Sequence, residues 1–260
     1  MLGEAKAAYR LAAGCLKGGA AVAVLLAVCS PAHADPEAEP APEPPWRELW
    51  VGADASSHVW LVYGGMTVAP LSDDMFSDGV RLRMSSGYGG YSYTGNRGGR
   101  DVAFRAKTAY ADALVGYLKR MGPLTAKAFV GAAAIEHQVD PVDPENPVQG
   151  MAYGPKAVVE LWLNMGERAW SSLDANWTSA HQTYAGRMRA GYRVHGDISL
   201  GLEALVNGNE QDKDVRGGGF ARYAWEGGEI SLAGGVSGRF FEDARNMTDP
   251  YATMTWLVQY

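Results

Sequence analysis

Apolar and polar positions alternate along most of the chain from Trp46 to the last residue. In Ile198-Ser-Leu-Gly-Leu-Glu-Ala-Leu-Val206 the even positions are aliphatic, and the odd ones include Ser199, Gly201 and Glu203. Between Tyr184 and Val194, Arg187, Arg189, Gly191 and Arg193 share one face, with Tyr184, Met188, Ala190, Tyr192 and Val194 on the other. Over 109–117, Ala109, Ala111, Ala113, Val115 and Tyr117 stand opposite Tyr110, Asp112 and Gly116. A period of two is the mark of a strand with one apolar and one polar face. Almost no segment after Trp46 keeps a helical period.

A soluble sandwich would show the same alternation, so the nature of each face has to decide the solvent. The polar face is ionic: Arg81, Arg83, Asp112, Lys127, Glu160, Asp174, Arg187, Arg189, Glu203 and Arg222 all fall opposite apolar residues. Buried unpaired charge is too costly for the inner face of a sandwich, whereas a wet or ion-paired lumen accepts it. The apolar face mixes Ala, Gly, Leu, Val and aromatic residues, as a lipid-facing wall does. The chain also ends on Ala252, Met254, Trp256, Val258 and Tyr260 in alternation, an aromatic-terminated last strand like those of bacterial outer-membrane barrels.

Turn lengths set the strand count. Short links fall at Met121-Gly122-Pro123, Asn164 to Arg168, His195-Gly196-Asp197 and Gly227-Gly228. Longer polar loops fall at 94–101, 138–149, 207–216 and 241–249, with a shorter one near 179–182. Short periplasmic turns and longer outer loops are the habit of membrane barrels. Counting back from a periplasmic C-terminus requires strands near 79–94, 58–69 and 46–55. The expectation is an all-β, antiparallel transmembrane β-barrel of about 12 strands, or ten if the first region is one bent strand. Glycines within strands, among them Gly87, Gly131, Gly191, Gly201 and Gly235, fit the curvature and close packing of a small barrel.

The first residues read as an address. Lys6, Arg10 and Lys17 precede an apolar run, Gly18 to Val28, and then Ala32-His33-Ala34, in the order of a secretory signal peptide over 1–34. Val28 before Cys29 does not suit lipoprotein processing. An acidic, proline-rich stretch over 35–45 reads as an extended linker, and the barrel domain occupies 46–260. Removing 34 residues takes out both cysteines, three basic residues and one acidic residue, so the formal charge moves from −6 to −8. That excludes a disulfide scaffold, and with no basic excess it argues against a nucleic-acid partner.

Candidate chemistry is sparse. His58, His137, His181 and His195 form no metal-ligand spacing, and Asp212-x-Asp214-x-Arg216-Gly217 puts arginine where a calcium ligand belongs. That segment therefore reads as a solvated outer loop, and Asp140, Asp143 and Glu145 as a rigid acidic one. Ser57 and His58 are adjacent and point to opposite faces. Ser179 and His181 share a face but have no orienting third group. Glu160 and Glu203 read as salt-bridge partners rather than a glycosidase pair. No catalytic residue, metal or cofactor is expected. Trp60, Tyr110, Phe129 and Trp162 are placed on inward faces, where they would suit contact with sugar rings.

A set of short motifs resembles the BcsS-type cellulose biosynthesis proteins. They are Trp50-Val-Gly-Ala-Asp-Ala-Ser-Ser57, Asp78-Gly-Val-Arg-Leu-Arg83, Gly87-Tyr-Gly-Gly-Tyr-Ser-Tyr93, Val159-Glu-Leu-Trp162, Leu200-Gly-Leu-Glu-Ala204, Gly208-Asn-Glu210, Gly218-Gly-Phe-Ala-Arg-Tyr223 and Leu232-Ala-Gly-Gly-Val-Ser237. In order they span residues 48–260. The resemblance implies a non-enzymatic component of bacterial cellulose synthesis and secretion in the outer membrane. The partners it implies are outer-membrane lipid, the cellulose chain and other synthase subunits. It carries no catalytic motif. The competing readings are a lipid-modifying outer-membrane hydrolase and a small-solute porin.

Overall fold

The computed structural model describes residues 45–72, 74–238 and 249–260. The expected signal peptide, nearly all of the linker and most of the loop at 241–249 lie outside the described residues.

Twelve antiparallel strands close into one barrel. In chain order they are β1 (Arg47–Ser56), β2 (Val59–Val68), β3 (Gly79–Arg97), β4 (Arg100–Met121), β5 (Leu124–Asp140), β6 (Gly150–Met165), β7 (Ala169–Thr178), β8 (Tyr184–His195), β9 (Ile198–Gly208), β10 (Lys213–Trp225), β11 (Gly228–Gly238) and β12 (Asp249–Gln259). The twelve-strand expectation holds, and the ten-strand alternative does not. Each strand pairs with its sequence neighbours, and β1 closes on β12 from Glu48↔Gln259 to Ser56↔Tyr251. Closure removes every sheet edge, which membranes require of a β structure. Arg47 and Tyr260 exchange backbone hydrogen bonds of 3.2 and 3.0 Å, and the Arg47 guanidinium lies 4.0 Å over the Tyr260 ring. The terminal aromatic residue thus fastens the seam.

The start of β1, the end of β12 and the short links after β4, β6, β8 and β10 sit at one end, here the terminal end. At the other, the loop end, β3 to β6 have 19, 22, 17 and 16 residues, against 10 in β7. A tilted strand crosses a bilayer in about 9–11 residues. One side of the barrel therefore extends beyond the span as a four-stranded wall.

Outward positions carry the apolar band, with Leu82, Met84, Val115, Tyr117, Val130, Leu200, Leu202, Leu232 and Met254 all exposed. Inward glycines answer large rings on the neighbouring strand. A Cβ on Gly191 would lie 2.4 Å from Trp170, and one on Gly201 2.6 Å from Phe220. The glycine excess thus makes berths for inward aromatic rings. Gly191→Ala should push Trp170 off its seat and destabilise the barrel by about 1–3 kcal/mol, the usual cost of overpacking. Urea unfolding in detergent micelles checks it, with the midpoint lowered.

Candidate functional site: a lumen crossed by its own side chains

Arg81, Arg83, Asp112, Lys127, Glu160, Asp174, Arg187, Arg189, Glu203 and Arg222 occupy inward positions set by strand alternation. Most are tied to one another or to partners that the sequence reading passed over. Lys127 on β5 lies 3.5 Å from Glu160 on β6 and 4.0 Å from Glu48 on β1. Arg83 on β3 is ion-paired with Glu160, and its guanidinium sits between Trp50 at 4.7 Å and Phe129 at 4.5 Å. Four strands, β1, β3, β5 and β6, are thereby joined through the lumen.

A second group joins β8, β9, β11 and β12. Arg189 donates to Glu203 at 2.8 Å and to the Ser231 hydroxyl at 3.2 Å, while the Tyr251 hydroxyl donates to Glu203 at 2.9 Å. Arg216 on β10 reaches Asp54 on β1 at 2.7 Å and Asp214 at 2.6 Å, and Thr253 also donates to Asp54. Lys156 and Ser85 meet Asp112 at 2.5 and 2.7 Å. Arg187 on β8 interacts with Tyr63 on β2, six strands away and so on the opposite wall.

Toward the terminal end the lumen is packed with rings. Trp162 and Trp170 stack at 4.3 Å with 16° between planes, and Phe220 lies 5.4 Å from Trp170. Arg222, ion-paired with Glu229, covers both tryptophans at 5.1 and 5.5 Å. Trp170 is 3% exposed and Phe129 1%, while Leu114, Phe129 and Val158 form a buried apolar cluster on β4, β5 and β6. Inward side chains this well buried make that half a packed layer rather than an open channel. Near mid-height, by contrast, Asp174 is exposed although it faces inward, so the lumen is wet around it.

Arg81 departs from the expected ionic role. It is fully buried and donates to three carbonyls of the link between β2 and β3, those of Met75, Ser77 and Asp74, at 3.0, 2.5 and 3.3 Å. The link, with Met75 itself 3% exposed, is thus tied to the inner wall at the terminal end.

Trp60 corrects the inward assignment made for it. It is 47% exposed and meets Tyr88 edge-on at 5.6 Å on the outer face. Trp60-Leu-Val-Tyr63 is apolar on both faces, so alternation gave no parity there. Tyr110, Phe129 and Trp162 do face inward, but Phe129 and Trp162 lie under arginines, and Lys156 is 5.6 Å from Tyr110. The segment around Asp214 and Arg216 is also corrected. It belongs to β10, and Arg216 is buried rather than in a solvated loop.

At the loop end, Asp143 is a clamp rather than a solvated acid. Its side chain is fully buried, receives two Arg97 hydrogen bonds of 2.7 and 2.6 Å, and accepts from the Tyr93 hydroxyl at 2.8 Å. The Arg97 hydrogen bonds hold its carboxyl below the ordinary value of 3.8. A lowered folded value means the clamp stabilises the loop above pH 3.8 and is lost as pH falls through the folded value. Carboxyl NMR titration should place Asp143 below ordinary aspartates, and Arg97→Ala should raise it.

Ser179 precedes the short turn Ala180–Gln182, and its hydroxyl packs against Gly154. His181 lies edge-on to His137 at 5.1 Å, and His137 accepts or donates at 3.1 Å with Tyr91. No hydrogen bond between Ser179 and His181 is present among the described residues. Glu160 and Glu203 are each held by their own cations. No group of three or more His, Cys, Asp or Glu able to hold a metal occurs among the described residues.

The model of the family described as "Cellulose biosynthesis protein BcsS" matches residues 49–259, nearly the whole barrel. This chain belongs to the BcsS family. Comparison with curated proteins returns no match. Among solved structures, the transport unit of the autotransporter AIDA-I from Escherichia coli is 9% identical, with a TM-score of 0.49, covering 94% of this chain and 97% of that one. The KdgM porin is 8% identical, with a TM-score of 0.43, covering 82% and 99%. The translocator domain of NalP from Neisseria meningitidis is 11% identical, with a TM-score of 0.44, covering 83% and 88%. What distinguishes this BcsS-family barrel is read from its own lumen.

Proposed function

We propose that this BcsS-family protein is a non-enzymatic outer-membrane component of the bacterial cellulose apparatus, and that its barrel anchors the machinery rather than conducting the polymer. The family match supplies cellulose. The outward apolar band around an ionic interior supplies the membrane, with the terminal end in the periplasm and the loop end outside. The observation that favours anchoring is the filled terminal half, where Trp162, Trp170, Phe220 and Arg222 pack together. A glucan chain would have to displace these rings and break the ion pairs above them.

Deletion of the gene should abolish or sharply reduce extracellular cellulose while isolated inner membranes polymerise glucan normally. Normal extracellular cellulose in the deletion strain would overturn the reading. Altered lipid profiles would instead support the hydrolase.

A further inference from the structure

The outer wall of β4 changes character abruptly. Ala109, Ala111, Ala113, Val115 and Tyr117 face outward over nine residues, about the length that crosses a bilayer. Directly beyond them, toward the loop end, come Lys107 and Arg105, both outward and exposed. Neither forms an ion pair among the described residues. On β6, one strand beyond β5, the outward positions at this end, Met151, Tyr153, Pro155 and Ala157, carry no charge.

Lys107 belongs to an organised row. Trp60, Gly90, Lys107 and Gln138 are register partners across β2, β3, β4 and β5. A Cβ on Gly90 would stand 2.9 Å from the Trp60 indole nitrogen, so the indole lies across the glycine. Beside this row a cleft of about 60 Å³ is lined by Tyr88, Lys107, Thr108, Ala109, Glu136 and Gln138. One water needs about 10–15 Å³ of such space, so the cleft has room for one phosphoryl or a few sugar hydroxyls. Glu136 accepts from the Gln138 amide at 2.9 Å, which leaves its second oxygen and the amide carbonyl as acceptors. Cations, an amide, a carboxylate and an aromatic ring at one interfacial level match a ligand that is both phosphorylated and hydroxylated. A neutral or purely anionic one would leave part of the set unused.

We propose that this wall binds the headgroup of a phosphorylated glycolipid of the outer leaflet. Lys107 and Arg105 take its phosphate, while Tyr88, Glu136 and Gln138 meet its sugar. The site rests on the outer-membrane reading, because only there does the row lie at headgroup depth. Depth favours a lipid over free phosphate, since the cleft adjoins the apolar band at Tyr88 and Ala109.

Native mass spectrometry of the detergent-purified barrel tests it with three probes: a diphosphorylated, acylated glucosamine disaccharide, its dephosphorylated counterpart, and inorganic phosphate. The diphosphorylated lipid should remain bound, and the other two should be lost. Arg105→Ala with Lys107→Ala should weaken retention roughly twenty-five-fold, about fivefold for each interfacial cation. Equal retention of the dephosphorylated lipid, or an unchanged double variant, would overturn the proposal. Retention of inorganic phosphate alone would show an anion site without lipid and overturn it too. Heat-modifiable gel mobility of the same samples reports the barrel separately. A folded barrel that fails to bind thus condemns the site and leaves the membrane reading standing.

Discussion

Arg189→Ala should lower the barrel's unfolding free energy by about 3–5 kcal/mol, the usual cost of removing one partner from a buried ion pair. Glu203 is 5% exposed and its carboxylate has two partners in the structure, Arg189 at 2.8 Å and Tyr251 at 2.9 Å. Without the guanidinium, a negative charge remains inside the wall with one phenol to satisfy it, and Ser231 loses its donor as well. Replacing both charges, as in Arg189→Met with Glu203→Leu, removes the stranded carboxylate and should recover most of the loss. Reversible urea unfolding in lipid vesicles reads both variants. A lumen full of water would solvate Glu203, and the single variant would then cost no more than a surface pair, under about 1 kcal/mol.

The second large effect concerns permeability. Trp162, Trp170 and Arg222 form the stacked layer at the terminal end, held by a 4.3 Å ring stack and a guanidinium over both rings. Aromatic side chains of this size each fill 150–250 Å² of contact surface. Changing all three to serine should leave the strand ladders intact and open a wet path from the region of Asp174 to the terminal end. The variant should therefore show discrete ion-current steps in planar bilayers where the unaltered protein shows none. Retained heat-modifiable mobility would confirm that the barrel still closes. A folded variant as silent as the parent would place the barrier elsewhere, with Arg81 and its link as the next layer to remove.

Much of this architecture was legible because a barrel wall obeys a period of two. From β3 onward most charged residues fall on one face and most outward positions are apolar, so the ionic lumen and the strand count could be read from alternation and turn length. Parity failed at Trp60, where four successive apolar residues erase the distinction between faces. It also failed at Asp214 and Arg216, whose charge suggested a loop although they alternate with outward Val215 and Gly217. The filling of the lumen was hidden for a different reason. Trp170, Phe220 and Leu114 are apolar yet face inward, where a rule of polar-in and apolar-out expects none of them. Their seats are prepared by glycines on neighbouring strands, and only the cross-strand register matches ring to glycine. Likewise, Glu48 and Lys156, the partners of Lys127 and Asp112, and the Asp54–Arg216 pair are set by contacts between strands that are not neighbours.

The central claim is a transmembrane barrel whose lumen is closed by its own side chains. It meets its most direct test in the current across a planar bilayer holding the unaltered protein. The expected record is flat, with no steady open level at any moderate voltage. A stable, stepwise open conductance from the purified, correctly folded barrel would contradict the account.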